Sequence, residues 1–120
     1  MGQLDELEKR RKDQRFHMDD NFVGTFKNRE KFLLKDINFE GLQLVAGFSP
    51  LIGAKYTLTL KDSDQSEDFN IKVVRVEPGG YNADEKTGIP LGAVYSVGAK
   101  ILDMTESKRR FVMNLLYHKT

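Results

Sequence analysis

The stretch from Tyr56 to Leu60, which reads Tyr-Thr-Leu-Thr-Leu, decides the class of fold. Its side chains alternate between apolar and hydroxyl-bearing, which is typical of a β-strand with one face in a core and the other in water. Gly47, Pro50 and Gly53 mark a loop before this strand, and the polar stretch from Lys61 to Asp68 is typical of a hairpin loop after it. The centre of the chain is therefore predicted to be β-structure.

Short apolar runs on both sides of this strand extend the pattern. They lie at residues 22–26, 32–37, 42–45, 69–76 and 94–102, separated by polar or glycine-containing breaks. In the fourth run, Phe69, Ile71 and Val73 occupy one phase of the alternation, whereas Val74 and Val76 occupy the other. Such a change of phase within one strand predicts a β-bulge or a barrel corner.

The C-terminal third is predicted to contain a long loop, a last strand and a helix. Pro78-Gly79-Gly80 should end the fourth run and open a loop that continues to about Gly92. Thr105 is a suitable N-cap for a helix on which Arg109 is expected to face away from the core. The apolar stripe of that helix consists of Phe111, Val112, Leu115 and Leu116. Six strands and one helix predict an antiparallel β-barrel with a helix packed on it.

Composition limits the function to that of a small soluble domain. The 120 residues suffice for one core, and 19 basic against 18 acidic side chains leave a net charge of +1. Anion recognition must therefore come from a local cluster of charge. The chain has no cysteine and no apolar run of the roughly 20 residues that cross a bilayer. We expect a cytoplasmic protein without membrane insertion.

Catalytic and metal-binding patterns are missing from the sequence. His17 and His118 have no neighbour at metal-ligand spacing, and each is expected to be a surface residue. No serine lies in a nucleophile-elbow context, and Asp19-Asp20 is typical of a solvated turn. We therefore expect neither an enzyme nor a bound metal or cofactor.

Two polar segments stand out against this background. Arg10 to Arg15 reads Arg-Arg-Lys-Asp-Gln-Arg, so that Arg11 and Arg15 form an Arg-x-x-x-Arg pair. Asp36 to Gly41 reads Asp-Ile-Asn-Phe-Glu-Gly and lies between two predicted strands. Taken singly, the first is also typical of a solvated charged arm and the second of an ordinary turn, in which glycine supplies positive φ.

Together, and in this order before a small barrel, the two segments resemble the signature of the PilZ family. That family carries Arg-x-x-x-Arg on an N-terminal arm and (Asp/Asn)-x-Ser-x-x-Gly at a strand end. Pro50 to Leu60 resembles its middle strand, and Tyr95 to Leu102 with the closing helix resembles its last elements. The resemblance implies a free-standing domain with a flexible basic arm at residues 1–15 and a six-stranded PilZ-type β-barrel with a C-terminal helix at residues 16–120. Within the arm, Leu4 and Leu7 among charged residues predict a short, weak helix at residues 3–11.

The resemblance also implies a ligand, the bacterial second messenger cyclic di-GMP. Arg11 and Arg15 would bind its phosphates and guanine faces, since a guanidinium pairs bidentately with phosphate or with guanine O6 and N7 and also stacks on a base. Asp36 would accept from the guanine N1–H and N2–H₂ donors, and Gly41 would allow close approach of the backbone. Arg10 would add a stacking surface. Ordering of the arm would then change the surface that meets an effector protein.

Asn38 departs from the family pattern, which has serine there. Its amide can still donate and accept, whereas loss of one hydrogen bond to a charged group would cost about 1.5–3 kcal/mol. The alternative is a degenerate PilZ domain that binds no nucleotide and acts as a protein-interaction adaptor. A third reading, RNA or single-stranded DNA bound to the basic segment, is opposed by the acidic residues at positions 5, 6, 8 and 13. We expect no nucleic-acid partner.

Overall fold

The computed structural model describes residues 16–17, 22–62, 65–83 and 88–118. These residues form seven β-strands and one α-helix. The elements are β1 (Phe16–His17), β2 (Val23–Phe26), β3 (Lys31–Ile37), β4 (Gly41–Ala46), β5 (Lys55–Asp62), β6 (Gln65–Asn82), β7 (Gly92–Ile101) and α1 (Glu106–His118).

Six of the strands close into a ring. Neighbours follow the order β3-β2-β5-β6-β7-β4, and β4 pairs again with β3. All pairings are antiparallel. The predicted six antiparallel strands and C-terminal helix are thus confirmed. The seventh strand, β1, pairs with the Asp36–Ile37 end of β3, beyond the segment that β2 covers.

The core fills the ring because inward side chains alternate with outward ones along each strand. Its largest fully buried members are Phe32, Phe69, Leu34, Ile37, Leu42, Leu44, Leu58, Leu60, Ile71, Leu115, Val73 and Val97. Helix α1 contributes Leu115 together with Phe111, whose ring centroid is 6.1 Å from that of Phe69. The helix therefore belongs to the same core as the strands.

The bulge predicted in the fourth run is confirmed. The register of β6 against β7 shifts between Val73 and Arg75, so that Val74 is the additional residue. Val73 faces the core, Val74 is exposed, and Val76 packs against the core again. The apolar pattern thus located the irregularity to within one residue.

Two predicted loops are shorter than expected. The pairing of β5 with β6 continues to Asp62 and Gln65, so most of the polar stretch 61–68 is strand. Pro78-Gly79-Gly80 does not end β6, because a second register shift between Pro78 and Gly80 lets the pairing with β7 resume and reach Asn82. Gly80 has φ 105° there. A bulge can accommodate proline and glycine within a strand, whereas a regular ladder of hydrogen bonds would exclude them.

Thr105 caps α1 as predicted. Its Oγ1 accepts a hydrogen bond from the Lys108 N–H at 3.2 Å, and its carbonyl accepts one from Arg109. Across the described ranges, no helix has the length and apolar character to cross a membrane.

Candidate functional site

The turn between β3 and β4 is held by Asn38. The Asn38 N–H donates to the Gly41 carbonyl at 2.9 Å. Its Oδ1 accepts from the N–H groups of Glu40 and Gly41, each at 2.8 Å. Asparagine favours such turns because its side chain mimics a backbone carbonyl. Asn38 is buried, so these bonds satisfy backbone groups that water reaches poorly.

Gly41 serves this turn without a left-handed backbone. The glycines with positive φ among the described residues are Gly53, Gly80, Gly88 and Gly92. The idea that the final glycine of the motif supplies positive φ is therefore wrong. Gly41 instead starts β4, where it is buried and pairs with Lys100 of β7.

A bulge in β3 turns Asp36 away from the core. The register against β4 passes from Leu34 opposite Leu44 to Asp36 opposite Gln43, which leaves Lys35 as the additional residue. Without it, alternation would point Asp36 inward, because a one-residue slip exchanges the two faces of a strand. Asp36 is buried nonetheless, with 7% of its surface exposed.

Strand β1, which follows the basic segment in the sequence, lies beside this turn. Phe16 pairs with Ile37, and His17 pairs with Asp36. The residue that follows Arg15 in the sequence is therefore a direct neighbour of the Asp36 end of β3. Arg10, Arg11 and Arg15 themselves lie outside the described residues, as does the weak helix considered for residues 3–11.

Helix α1 also reaches the turn. The Arg109 guanidinium lies over the Phe39 ring, 4.5 Å from its centroid, and Phe39 is buried within the motif. We expected Arg109 to point away from the body of the protein, and this expectation is wrong. A guanidinium on an aromatic face is attracted by the ring quadrupole, so the turn and the helix are in direct contact.

A row of lysines crosses the outer face of the sheet next to the turn. Gly41 pairs with Lys100, Lys100 with Lys72, and Lys72 with Lys55, and all three lysines are exposed. Directly opposed like charges destabilise a sheet. The strands thus assemble a local cationic cluster that sequence reasoning missed, since its members are 17 and 28 residues apart and only the strand register brings them together.

Other features lie away from the motif. A cleft of about 510 Å³ separates the start of β6 from α1, with Glu67, Ser107 and Arg110 in its lining, and none of Asp36, Asn38 or Gly41 borders it. Within the described parts of the chain, no cluster of three or more histidine, cysteine, aspartate or glutamate side chains is placed to hold a metal ion.

Comparison with known proteins gives a family match. The family model of the PilZ domain matches residues 9–118. The comparison with curated proteins gives no sequence match.

Solved structures share the fold at low sequence identity. The PilZ domain of YcgR from Escherichia coli, solved with c-di-GMP, superposes with a TM-score of 0.62 at 9% identity over 88% of each chain. MrkH of K. pneumonia in its apo state gives a TM-score of 0.61 at 16% identity and covers 88% of this chain. A second MrkH structure, described as a c-di-GMP-dependent transcription regulatory factor, gives 0.58 at 19% identity. This chain spans about half of each MrkH chain, 49% and 48%.

Proposed function

Because this chain belongs to the PilZ domain family, we propose that it is a cytoplasmic receptor domain that binds cyclic di-GMP. In this proposal Arg11 and Arg15 bind phosphate and guanine, with Arg10 as a further stacking surface. Asp36 accepts from a guanine edge. The occupied domain then engages an effector protein, and the chain performs no catalysis.

The observation that carries this proposal is the pairing of β1 with β3. Phe16, the residue that follows the Arg-x-x-x-Arg segment in the sequence, pairs with Ile37, and His17 pairs with Asp36. The pairing supports a site that combines the two motifs, although they are some twenty residues apart in the sequence. A ligand with two phosphates and two guanines needs donors, cations and an acceptor within one molecular length, and this arrangement supports such a site.

Asp36 suits a guanine edge because of its surroundings as well as its charge. A buried carboxylate recognises paired N–H donors with little competition from water. The tight Asn38 turn fixes the backbone that follows Asp36. A rigid acceptor loses little conformational freedom when it binds, and this favours affinity.

Asn38 supports the alternative function. Its Oδ1 already accepts two backbone N–H groups, so a contact to ligand would come from its Nδ2 donors. The residue has a structural role that requires no nucleotide. The alternative is accordingly a PilZ domain that serves as a protein-interaction adaptor without binding cyclic di-GMP.

Output to a partner would pass through the elements that touch the turn. Arg109 of α1 lies on Phe39, which is the residue after Asn38. A ligand that draws the basic segment onto β3 would change the surface formed by that segment, the turn and α1. Binding would thus favour one arrangement of this surface over others, and an effector that recognises it would respond.

Isothermal titration calorimetry tests the proposal. The purified chain is titrated with cyclic di-GMP and, separately, with GMP. We expect saturable binding of the cyclic dinucleotide alone. Arg11→Ala and Asp36→Asn should each weaken it by at least about 10-fold, as expected for loss of a hydrogen bond to a charged group.

Arg29→Ala is the matched control. Arg29 is exposed and lies in the turn before β3, at the opposite end of that strand from Asp36. Its replacement removes one arginine without touching the motif and should leave affinity unchanged. No heat of binding at high-micromolar cyclic di-GMP, from protein shown to be folded, would reject the receptor and leave the adaptor.

A further inference from the structure

One cross-strand row on the outer face runs from the motif to the other side of the sheet. Asp36 on β3 pairs with Gln43 on β4, Gln43 with Gly98 on β7, and Gly98 with Arg75 on β6. Three gaps between strands make this row about 14 Å long. The acidic Asp36 thus lies at one end of the row and the basic Arg75 at the other, with Gln43 and Gly98 between them.

Both ends of the row owe their orientation to a β-bulge. Lys35 is the additional residue before Asp36, and Val74 is the additional residue before Arg75. Strict alternation after Leu34 and Val73, which face the core, would send both charged residues inward. Each bulge re-aims one charge to the outer face, which is a common use of bulges beside binding sites.

Gly98 forms a shallow floor beneath the Arg75 side chain. A Cβ placed on Gly98 would lie 3.4 Å from Arg75 Cβ, 3.5 Å from its Nε and 3.6 Å from its Nη2. The guanidinium therefore lies close along the glycine backbone. Gly98 has no positive φ, so its backbone conformation is open to other residues. The absence of a side chain at Gly98 leaves space next to the Arg75 side chain.

The Arg75 side chain is held loosely and is accessible. Its Nε is 3.7 Å from the Glu77 Oε1, and the two side chains are 52% and 60% exposed. An exposed ion pair at this distance is weak, so a stronger anionic or aromatic partner can take over the guanidinium. Lys72 and Lys100 occupy the adjoining row of the same face and add positive charge.

We infer that Arg75 and Gly98 form a second subsite for a cyclic purine dinucleotide, continuous with the Asp36 site. The loosely held Arg75 side chain, which lies along Gly98 in this structure, would move aside, so that one base takes its place on the glycine and stacks against the guanidinium plane. The same guanidinium can pair with phosphate or with guanine O6 and N7. Lys100 would supply positive charge for the adjacent phosphate. This inference rests on the proposed function, since it extends the same ligand across the sheet.

Calorimetry of four variants tests the subsite. Arg75→Ala should weaken cyclic di-GMP binding about 10- to 100-fold, the range for one charged contact. Arg75→Lys, which keeps the charge but loses the plane, should recover only part of this loss. Gly98→Ala should weaken binding by filling the floor, while its ordinary contact distances leave the melting temperature close to that of the wild type. Arg29→Ala again serves as the matched control.

The outcomes separate this inference from the proposed function. If the wild type binds and Asp36→Asn does not, while Arg75→Ala and Gly98→Ala bind like the wild type, the second subsite is rejected and the receptor stands. If the wild type shows no heat of binding, both the second subsite and the proposed receptor function are rejected. Equal affinity of Arg75→Lys and the wild type would reject the stacking role, because charge alone would then account for Arg75.

Discussion

At the scale of single residues, Asn38 shows how a motif position can serve the fold. Its side-chain oxygen satisfies two backbone donors in a buried turn, and its own N–H closes the turn on Gly41. An exposed counterpart exists in the turn before β3, where Asn28 Oδ1 accepts from the Glu30 N–H at 3.0 Å. The two asparagines differ chiefly in burial and in the number of bonds that they accept.

Asn38→Ala should lower the free energy of unfolding by about 1–3 kcal/mol, because it removes the acceptor of the buried Gly41 N–H and of the partly buried Glu40 N–H. Asn38→Ser should lower the free energy of unfolding by a smaller amount, since a hydroxyl can still accept a hydrogen bond from a turn N–H. Asn28→Ala is the control. Its free energy of unfolding should fall by less, because water can replace Asn28 Oδ1 as the acceptor for the exposed Glu30 N–H. Urea denaturation measures all three. Equal losses for Asn38→Ala and Asn28→Ala would contradict the structural role of Asn38.

At the scale of elements, Asp103 connects β6 to the start of α1. Its carboxylate accepts from the Asn70 N–H at 3.0 Å, from Asn70 Nδ2 at 2.7 Å and from Lys108 Nζ at 2.6 Å. Burial raises the pKa of Asp103, but these hydrogen bonds and the Lys108 charge outweigh it and hold the pKa below its ordinary value. The folded protein therefore favours the ionised carboxylate.

The stability that Asp103 contributes should depend on pH. A lowered pKa in the folded state means that the contribution is complete above the unfolded pKa, about 4, and is lost as pH falls through the lower folded pKa. Asp103→Asn should therefore be less stable than the wild type at pH 7, by roughly 1 kcal/mol. The difference should shrink towards pH 3 in denaturation curves.

Glu106→Gln is the control for this pH dependence. The Glu106 pair with Arg110 spans 3.7 Å and both side chains are more than three-quarters exposed, so its loss should change stability little. A constant difference between Asp103→Asn and the wild type from pH 7 to pH 3 would show that the charge of Asp103 is not what stabilises the protein.

At the scale of the whole molecule, ring closure produces one continuous core. Phe32 lies in it with no exposed surface and faces Gly24 across the β2–β3 pair. A Cβ on Gly24 would overlap the Phe32 ring, with Cε1 at 2.7 Å and Cε2 at 2.9 Å. The ring cannot move aside freely because Phe26 packs against it at a centroid distance of 4.7 Å.

Gly24→Ala should destabilise the protein by about 1–3 kcal/mol, the usual cost of overpacking a core. Gly98→Ala makes the same change in a strand of the same ring where contact distances are ordinary, and its effect should be under about 1 kcal/mol. Thermal denaturation compares the two variants. A Gly24→Ala protein as stable as Gly98→Ala would mean that the Phe32 site can expand.

The local sequence was enough to predict the six ring strands and the helix, although not the two-residue strand β1. Alternation in Tyr56 to Leu60 and in the flanking runs identified six ring strands, the change of phase after Val73 located a bulge, and Thr105 with Phe111 and Leu115 predicted the capped helix. These signals are short-range, because side-chain direction in a strand or helix follows from residue spacing alone. Loop lengths were predicted less well, since proline and glycine at positions 78–80 are compatible with a bulge as well as with a strand end.

The tertiary structure alone decided which distant residues share a face. The alignment of Lys55, Lys72 and Lys100, the pairing of Arg75 with Gly98 and the contact of Arg109 with Phe39 all depend on register or helix packing. Register is set by pairing between strands far apart in the sequence and by the bulges within them, so spacing along the chain does not reveal it. The polar motifs could be recognised from the sequence, whereas the cationic outer face beside Gly41 depends on the strand register of the closed ring.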